Sequence, residues 1–233
     1  PRFTHKYAIF GGYENRQVVG YANVEEFNAR FYSRATRVER NEVLDLPPME
    51  HETLRFDLEP KIRNLYQELA EEMYAQFEHG DITLANVLVK LLRLQQLTGG
   101  YLQYDEAARP QQVHKGKLAL LGELLMDIPP QEPICIFCRF IPEMEAIKEL
   151  CKAMDRPALE LSGRMREHER WQAGEAPTLV LQMQAGGLGI DLTRTRITIY
   201  YSLGFSLGDY LQSMARMDRQ GQTRAGVYYH LVA

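Results

Sequence analysis

The stretch from Thr178 to Gln222 constrains this chain more than any other. It reads TLVLQ, then MQAGGLGIDLT, then RTRITIYY, then SLGFSLGDYLQSMARMDRQGQ. An apolar strand runs into a glycine-rich turn, and a second apolar strand leads into a helical pattern. That pattern carries Arg216 and Arg219 three residues apart, a spacing that puts both on one helix face. A glycine-rich turn lets backbone come close to a ligand. Paired guanidinium groups bind phosphate oxygens through planar, forked contacts. Together these features imply a site for a polyphosphate whose charge is neutralised during chemistry.

The segment AGGLGIDLT followed by DYLQSMARMDRQGQ resembles motifs five and six of superfamily 2 helicases. More narrowly it resembles the Swi/Snf-type DNA-translocating ATPases, whose pattern is close to AGGxGINLT followed by QAxxRxxRxGQ. The likeness extends upstream through LELSGRM and ICIFCRF and covers roughly the last half of the chain. Asp191 stands where that family usually has Asn, Ala215 where it has Gly, and SLGFSLGD replaces its Trp-Asn-Pro segment. The resemblance implies an α/β fold, a RecA-like lobe built on a doubly wound parallel sheet, with a helical segment ahead of it. It implies ATP and Mg2+ as cofactors, bound mainly by a first lobe. By the same resemblance Gly189, Asp191 and Gln212 face ATP, and Arg216 and Arg219 act on its phosphates. Arg139, Gly163, Arg164, Gln182, Gln184 and Gly186 face a nucleic-acid backbone. The implied partners are double-stranded DNA, with RNA left open, and the first motor lobe. The implied location is the cytoplasm of a prokaryote or virus, or a eukaryotic nucleus.

Composition narrows the classes. A chain of 233 residues is long enough for one large domain or two small ones. A net charge of −4 argues against a uniformly basic surface but allows a local basic groove. Three cysteines, an odd number, read as reduced and intracellular. Cys135 and Cys138 have CxxC spacing inside the apolar run ICIFC, with no second pair, so core packing is expected rather than zinc. No apolar run reaches membrane-spanning length and no signal peptide opens the chain. The start at Pro1 and the stop at Ala233, just after a strand, read as cuts through a longer protein.

Three regions are expected. Residues 1–44 read as the tail of a first lobe or its helical insertion. Asn23 is placed as the N-cap of VEEFNARFY, with Val24, Phe27 and Phe31 as an apolar stripe. Arg34, Arg37 and Arg40 follow at helical spacing and read chiefly as a solvated face. Residues 45–115 read as a crossing segment and a helical insertion. Pro47-Pro48 break any helix, HETLRFDL reads as a strand, and two helices follow around Gly80, the second starting at Asp81 or Thr83. The second, ITLANVLVKLLRLQQL, is apolar on nearly all sides and is expected to be deeply packed. QYDEAARPQQVH reads as an exposed loop. From residue 116 helices and strands alternate, which predicts a parallel sheet truncated at its C-terminus. ICIFC, PALEL, TLVLQ, ITIYY and GVYYHLV are its strands, and their unbroken apolar runs suit burial on both faces.

Ligands bind beyond the carboxyl ends of strands in such sheets, and the candidate residues are expected to gather there. The last helix is expected to start near Asp209, its N-cap, with Leu211 and Met214 inward. A dinucleotide-binding fingerprint is the competing reading of AGGLG. It fails because Leu192 occupies the place of the third glycine and the turn lies far from the first strand. A docking module that keeps the fold without catalysis is a further alternative. The sequence contains no GxxxxGK[ST] and no acidic box after an apolar strand. The phosphate-cradling lysine, the magnesium ligand and the water-activating carboxylate are therefore expected in another lobe. The purified 233-residue chain is expected to release no measurable phosphate from ATP. Turnover by a contaminant-free preparation would overturn this division of labour.

Overall fold

Five short runs of Val, Ile, Leu, Cys and Tyr, each about five residues long, decide the architecture, because only a sheet covered on both faces can bury them. The computed structural model describes residues 2–36, 38, 45–78, 84–103, 109–184 and 189–233. Its residues divide into two units, Pro1–Asp45 and Leu46–Ala233.

In the first unit helix α1 (Arg2–Tyr7) leads into strands β1 (Ala8–Gly11) and β2 (Gln17–Tyr21), then helix α2 (Val24–Tyr32). β1 and β2 pair antiparallel. The rings of Phe3, Tyr7 and Phe27 pack together with centroids 4.9 to 5.9 Å apart. Asn23 sits at the N-cap of α2 in a left-handed conformation, with φ 52°, and makes no capping bond. Its amide donates to Lys6 O instead, at 2.8 Å, so it ties the helices together rather than capping one. Arg34 lies past the end of α2, and Arg37 and Arg40 fall outside the described residues.

The second unit begins with β3 (Met49–Arg55) and two helices, α3 (Pro60–Glu78) and α4 (Leu84–Thr98). Gly80, Asp81 and Thr83, the expected boundary, lie outside the described residues. A two-residue hairpin, β4 (Tyr101–Leu102) with β5 (Gln111–Gln112), occupies part of the expected loop. There follow α5 (Gly116–Asp127), β6 (Ile134–Cys138), α6 (Ile141–Ala153), β7 (Ala158–Leu161), α7 (His168–Gln172), β8 (Thr178–Gln182), β9 (Ile197–Tyr200), α8 (Leu207–Met217) and β10 (Gly226–Val232). Pro142 stands in the first turn of α6, where its missing N–H costs nothing.

Six strands form one parallel sheet in the order β3-β10-β9-β6-β8-β7. The chain leaves the central β6 toward one edge, then returns across it to β9 and β10. That makes it doubly wound. The expected RecA-like topology is present, with β3, ahead of the two helices, as an added edge strand. β3 is mostly exposed, and Glu50, Glu52 and Arg55 guard that edge against further pairing.

Alternate residues of each strand feed two cores. On one face Ile134, Ile136 and Cys138 pack with Leu121, Leu124 and Leu125 of α5 and Met144 and Ile147 of α6. On the other Cys135 and Phe137 pack with Trp171 of α7 and Met217 of α8. The helix α4 is less buried than its composition predicts. Leu94 and Leu97 are covered, whereas Leu88 and Val89 are about half exposed.

Cys135 and Cys138 therefore lie on opposite faces of one strand, where they cannot share a metal or a disulfide. Burial pushes the Cys151 thiol up to about 11 and raises Cys135 and Cys138 as well. In the native protein none of the three is expected to react with a thiol reagent such as dithionitrobenzoate at pH 8, and all three should react once the protein unfolds. Fast native labelling of any of them would contradict this packing.

Candidate functional site

At the carboxyl ends of the strands, β6 delivers Arg139, β7 delivers Gly163 and Arg164, and β8 delivers Gln182 and Gln184. Arg139 is half-buried. Its Nη1 donates to Gln95 Oε1 of α4 at 2.5 Å, and its guanidinium lies 4.6 Å from the centre of the Phe205 ring. Its backbone N–H donates to Ser202 Oγ at 2.8 Å and to Glu143 Oε2 at 3.3 Å. Glu143 also accepts from Phe140 N at 3.1 Å and from Ser202 Oγ at 2.5 Å. It thus caps α6 from inside the fold, the reciprocal half of a capping box. Burial pushes its carboxyl up, and the Ser202 hydroxyl and Lys117 oppose that. Lys117 is buried too, with its ammonium on Tyr201 O at 3.1 Å.

Gln182 reaches Arg139 O at 3.4 Å, and Gln184 is exposed. Gly163 is exposed and a side chain there would meet nothing within 4 Å. Arg164 is held by two carboxylates, with Nε on Glu160 Oε1 at 2.8 Å and Nη1 on Glu145 Oε1 at 2.7 Å. Burial raises the Glu160 carboxyl, but hydrogen bonds from Arg164, Ser162 and Lys148 outweigh it and hold the group at about 2. Gly186 lies outside the described residues.

The remaining candidates do not join this group. Thr195 Oγ1 donates to Pro133 O at 2.6 Å, immediately before β6 begins. Gln222 donates to Thr195 O at 2.7 Å and Gln172 to Asp191 O at 2.8 Å. Residues 191–195 therefore lie toward the amino ends of the strands. Gly189, Asp191, Arg216 and Arg219 follow that flank beside α8, and the expectation that all candidates gather past the carboxyl ends is corrected. The reason is that α8 starts at the carboxyl end and its arginines come in its last turn and beyond.

Two details of α8 also differ from expectation. Ser206 is its N-cap, accepting from Asp209 N at 3.2 Å, so the helix begins at Leu207. Leu211 is about half exposed, and the inward side is Ser213 and Met217, with Tyr210 and Met214 beside them. The helix stops at Met217, with Asp218 at φ −83°, ψ 81°. Arg219 therefore lies in the turn beyond it, and the shared helix face assumed for the two arginines is replaced by a helix end and a bend. Gln212 is exposed on α8. Asp191 is exposed and its Oδ1 accepts from Thr193 N at 2.9 Å, an Asx turn. Gly189 has open space where a side chain would stand.

The two motifs are joined through backbone. Leu192 N donates to Arg216 O at 3.0 Å. Gln222, almost fully buried, bonds four backbone groups: its amide reaches Thr193 O and Thr195 O, and its oxygen accepts from Thr223 N and Arg224 N. The side chains of Arg139, Arg156, Arg164, Arg170, Arg194, Arg196 and Arg224 all have acceptors, which for Arg156 and Arg194 are backbone carbonyls. Arg216 and Arg219 have no ion pair among the described residues. The Nε of Arg216 is buried without an acceptor.

Residues 116–221 match the family described as helicase conserved C-terminal domain. The matched stretch runs from α5 to just past the end of α8. Aligned over 94% of this chain at 27% identity is YwqA of Bacillus subtilis (strain 168), which its name describes as an ATP-dependent helicase/translocase. The CHD3-type chromatin-remodeling factor PICKLE of Arabidopsis thaliana is 24% identical over 84% of the chain. The chain spans 25% and 16% of those relatives' lengths. Among solved structures, the C-terminal part of the Fun30 ATPase domain superposes with a TM-score of 0.62 at 17% identity, over 80% of this chain and 85% of that one. The Sulfolobus solfataricus SWI2/SNF2 ATPase core in complex with dsDNA gives 0.60 at 22% identity, over 89% and 46%. These likenesses carry the fold.

Within this lobe, the sequence marks the glycine turn and the arginines but not the polar groups that hold them. Gln222 is visible as the last letter of RxGQ, yet nothing in the motif says that it faces inward. Gln222→Ala removes four hydrogen bonds and leaves the Thr195 carbonyl buried, so a loss of about 2–4 kcal/mol in unfolding free energy is expected. Gln222→Glu should cost at least as much, because a carboxylate oxygen would then face two carbonyls. Denaturant titration of both variants checks this, and a change below about 0.5 kcal/mol would count against the clamp.

Proposed function

We propose that this chain belongs to an ATP-dependent DNA translocase or helicase, in which residues 116–233 form the second motor lobe. In this reading residues 1–44 belong to the first lobe or its insertion, and 45–115 form the crossing segment and a helical insertion. The observation that carries the reading is the state of the arginines. Seven arginine side chains of this lobe have acceptors; among the described residues the exposed Arg166 and the two partly buried arginines of the motif, Arg216 and Arg219, have neither a side-chain hydrogen bond nor an ion pair, and only the latter two combine that state with partial burial. A buried guanidinium N–H without an acceptor costs about 1–3 kcal/mol, and an incoming anion relieves that cost.

Two free guanidiniums suit the phosphates of ATP. Gly189, Asp191 and Gln212 are assigned to the same nucleotide, Gly189 with open space where a side chain would stand. The donor set offers nothing to Mg2+, since no group of three or more His, Cys, Asp or Glu among the described residues is placed to hold a metal. The magnesium ligands and the phosphate-binding loop are assigned to the first lobe, and the isolated lobe is inactive. ATP bound there supplies the phosphoryl group. Arg216 and Arg219 meet the charge that develops on its oxygens when the lobes close, which stabilises the transition state more than the bound nucleotide. Arg139, Gly163, Arg164, Gln182 and Gln184 line the nucleic-acid face, where backbone and small polar groups grip phosphates without reading sequence. Double-stranded DNA is the substrate that the likeness to the dsDNA-bound core favours.

Arg219→Ala in the intact protein is expected to lower DNA-stimulated ATP turnover by about a thousandfold or more, on the order of 4–7 kcal/mol, with ATP affinity kept within a few-fold. Arg216→Ala should be similarly damaging. Lysine at either position should rescue poorly, since a point charge cannot reproduce the forked contact. Steady-state turnover, nucleotide affinity and a thermal melt on each variant make the test. Near-normal turnover by both folded alanine variants would remove the motor reading.

A further inference from the structure

We infer that Glu145 competes with nucleic-acid phosphate for Arg164: Glu160 orients the guanidinium from below, and the exposed Glu145 carboxylate occupies the edge that a backbone phosphate would take. This rests on reading the carboxyl end of the sheet as the nucleic-acid face.

The two carboxylates on Arg164 are unlike each other. Glu160 is 1% exposed and is also bonded by Ser162 Oγ at 2.6 Å and Lys148 Nζ at 2.9 Å. It is fixed, and it holds Nε and Nη2 of Arg164 at 2.8 and 3.4 Å. Ser162 adds a second restraint by accepting from Arg164 N at 3.1 Å, which sets the turn that carries the arginine. Glu145 is exposed on α6, with 57% of its side chain accessible, and holds only Nη1. An ion pair this exposed contributes little and exchanges readily.

Carboxylate and phosphate oxygens meet a guanidinium N–H with the same short, linear geometry. The Glu145 oxygen, 2.7 Å from Nη1, therefore marks where a phosphate oxygen would sit. Gly163, next in the chain, leaves open space beside that position. Nothing in the packing calls for glutamate at 145, since Met144, Ala146 and Ile147 make the buried side of α6. When phosphate displaces it, the freed Glu145 stays near the bound strand and repels it. Its effect therefore falls on affinity at low salt and on the salt dependence of binding.

The test uses the intact protein, a labelled DNA duplex and fluorescence anisotropy over a salt series. Glu145→Gln is expected to tighten binding about two- to fivefold at low salt, the range of an exposed ion pair. It should also steepen the salt slope by up to about one ion. Glu149→Gln serves as the control. It removes the same charge one turn along α6 from a residue with no ion pair among the described residues, and should change binding less. In an Arg164→Ala background, with folding checked by thermal melt, Glu145→Gln should gain no more than Glu149→Gln. Equal gains from both glutamine variants would reduce Glu145 to general charge, and weaker binding by Glu145→Gln would make it a positioning residue; either result overturns the competition. Failure of every variant and of the parent protein to bind DNA would instead overturn the nucleic-acid reading itself.

Discussion

The carboxamide of Gln222 is the interaction on which the arrangement of the two motifs depends. Among the described residues the return path from β8 to β9 carries no helix beyond a short 3-10 turn, so its peptide groups cannot satisfy each other in a regular ladder. Buried peptide groups without partners are costly. Gln222 supplies donors to two of them and accepts from the two N–H groups ahead of β10. With Leu192 N on Arg216 O, this fixes the glycine turn, the end of α8 and the start of β10 as one piece. The arginines take their positions from that piece and, among the described residues, from no side-chain partner of their own.

The lobe carries opposite electrostatic states at its two candidate faces. At the carboxyl ends of the strands the cations are engaged: Arg139 with Gln95 and Phe205, Arg164 with Glu160 and Glu145. Along the α8 flank Arg216 and Arg219 stand without ion pairs among the described residues. A face whose cations are already engaged binds a partner by exchange, and its strength depends on which internal partner lets go. A face with open cations binds by addition. The chain's overall charge of −4 reveals neither arrangement, because it averages over both.

The sheet was legible in the sequence because its strands are buried on both faces and so appear as unbroken apolar runs, which no loop in this chain imitates. The end of α8 was not. MARMDRQGQ keeps helical spacing through Arg219, and only the backbone at Asp218 breaks it. The partial exposure of α4 was hidden because composition reports how apolar a helix is, not how much neighbouring surface exists to cover it. Gln222, Glu143 and Glu145 were invisible as site residues, since each acts through groups far away in sequence: Thr195 lies 27 positions from Gln222, Ser202 59 from Glu143, and Arg164 19 from Glu145.

Gln95 gives the helix α4 a mechanical meaning. Its side chain bonds both Arg139, past the end of β6, and Leu203 O, past the end of β9. The helix is 15 residues long, a rigid rod of about 22 Å with Gln95 in its last turn. Tilting such a rod by about five degrees about that turn carries its far end roughly 2 Å. Leverage works in both directions. A displacement of the tip is coupled through Gln95 to the arginine and to the turn that begins α8. The helix is then a handle on the sheet rather than an ornament beside it.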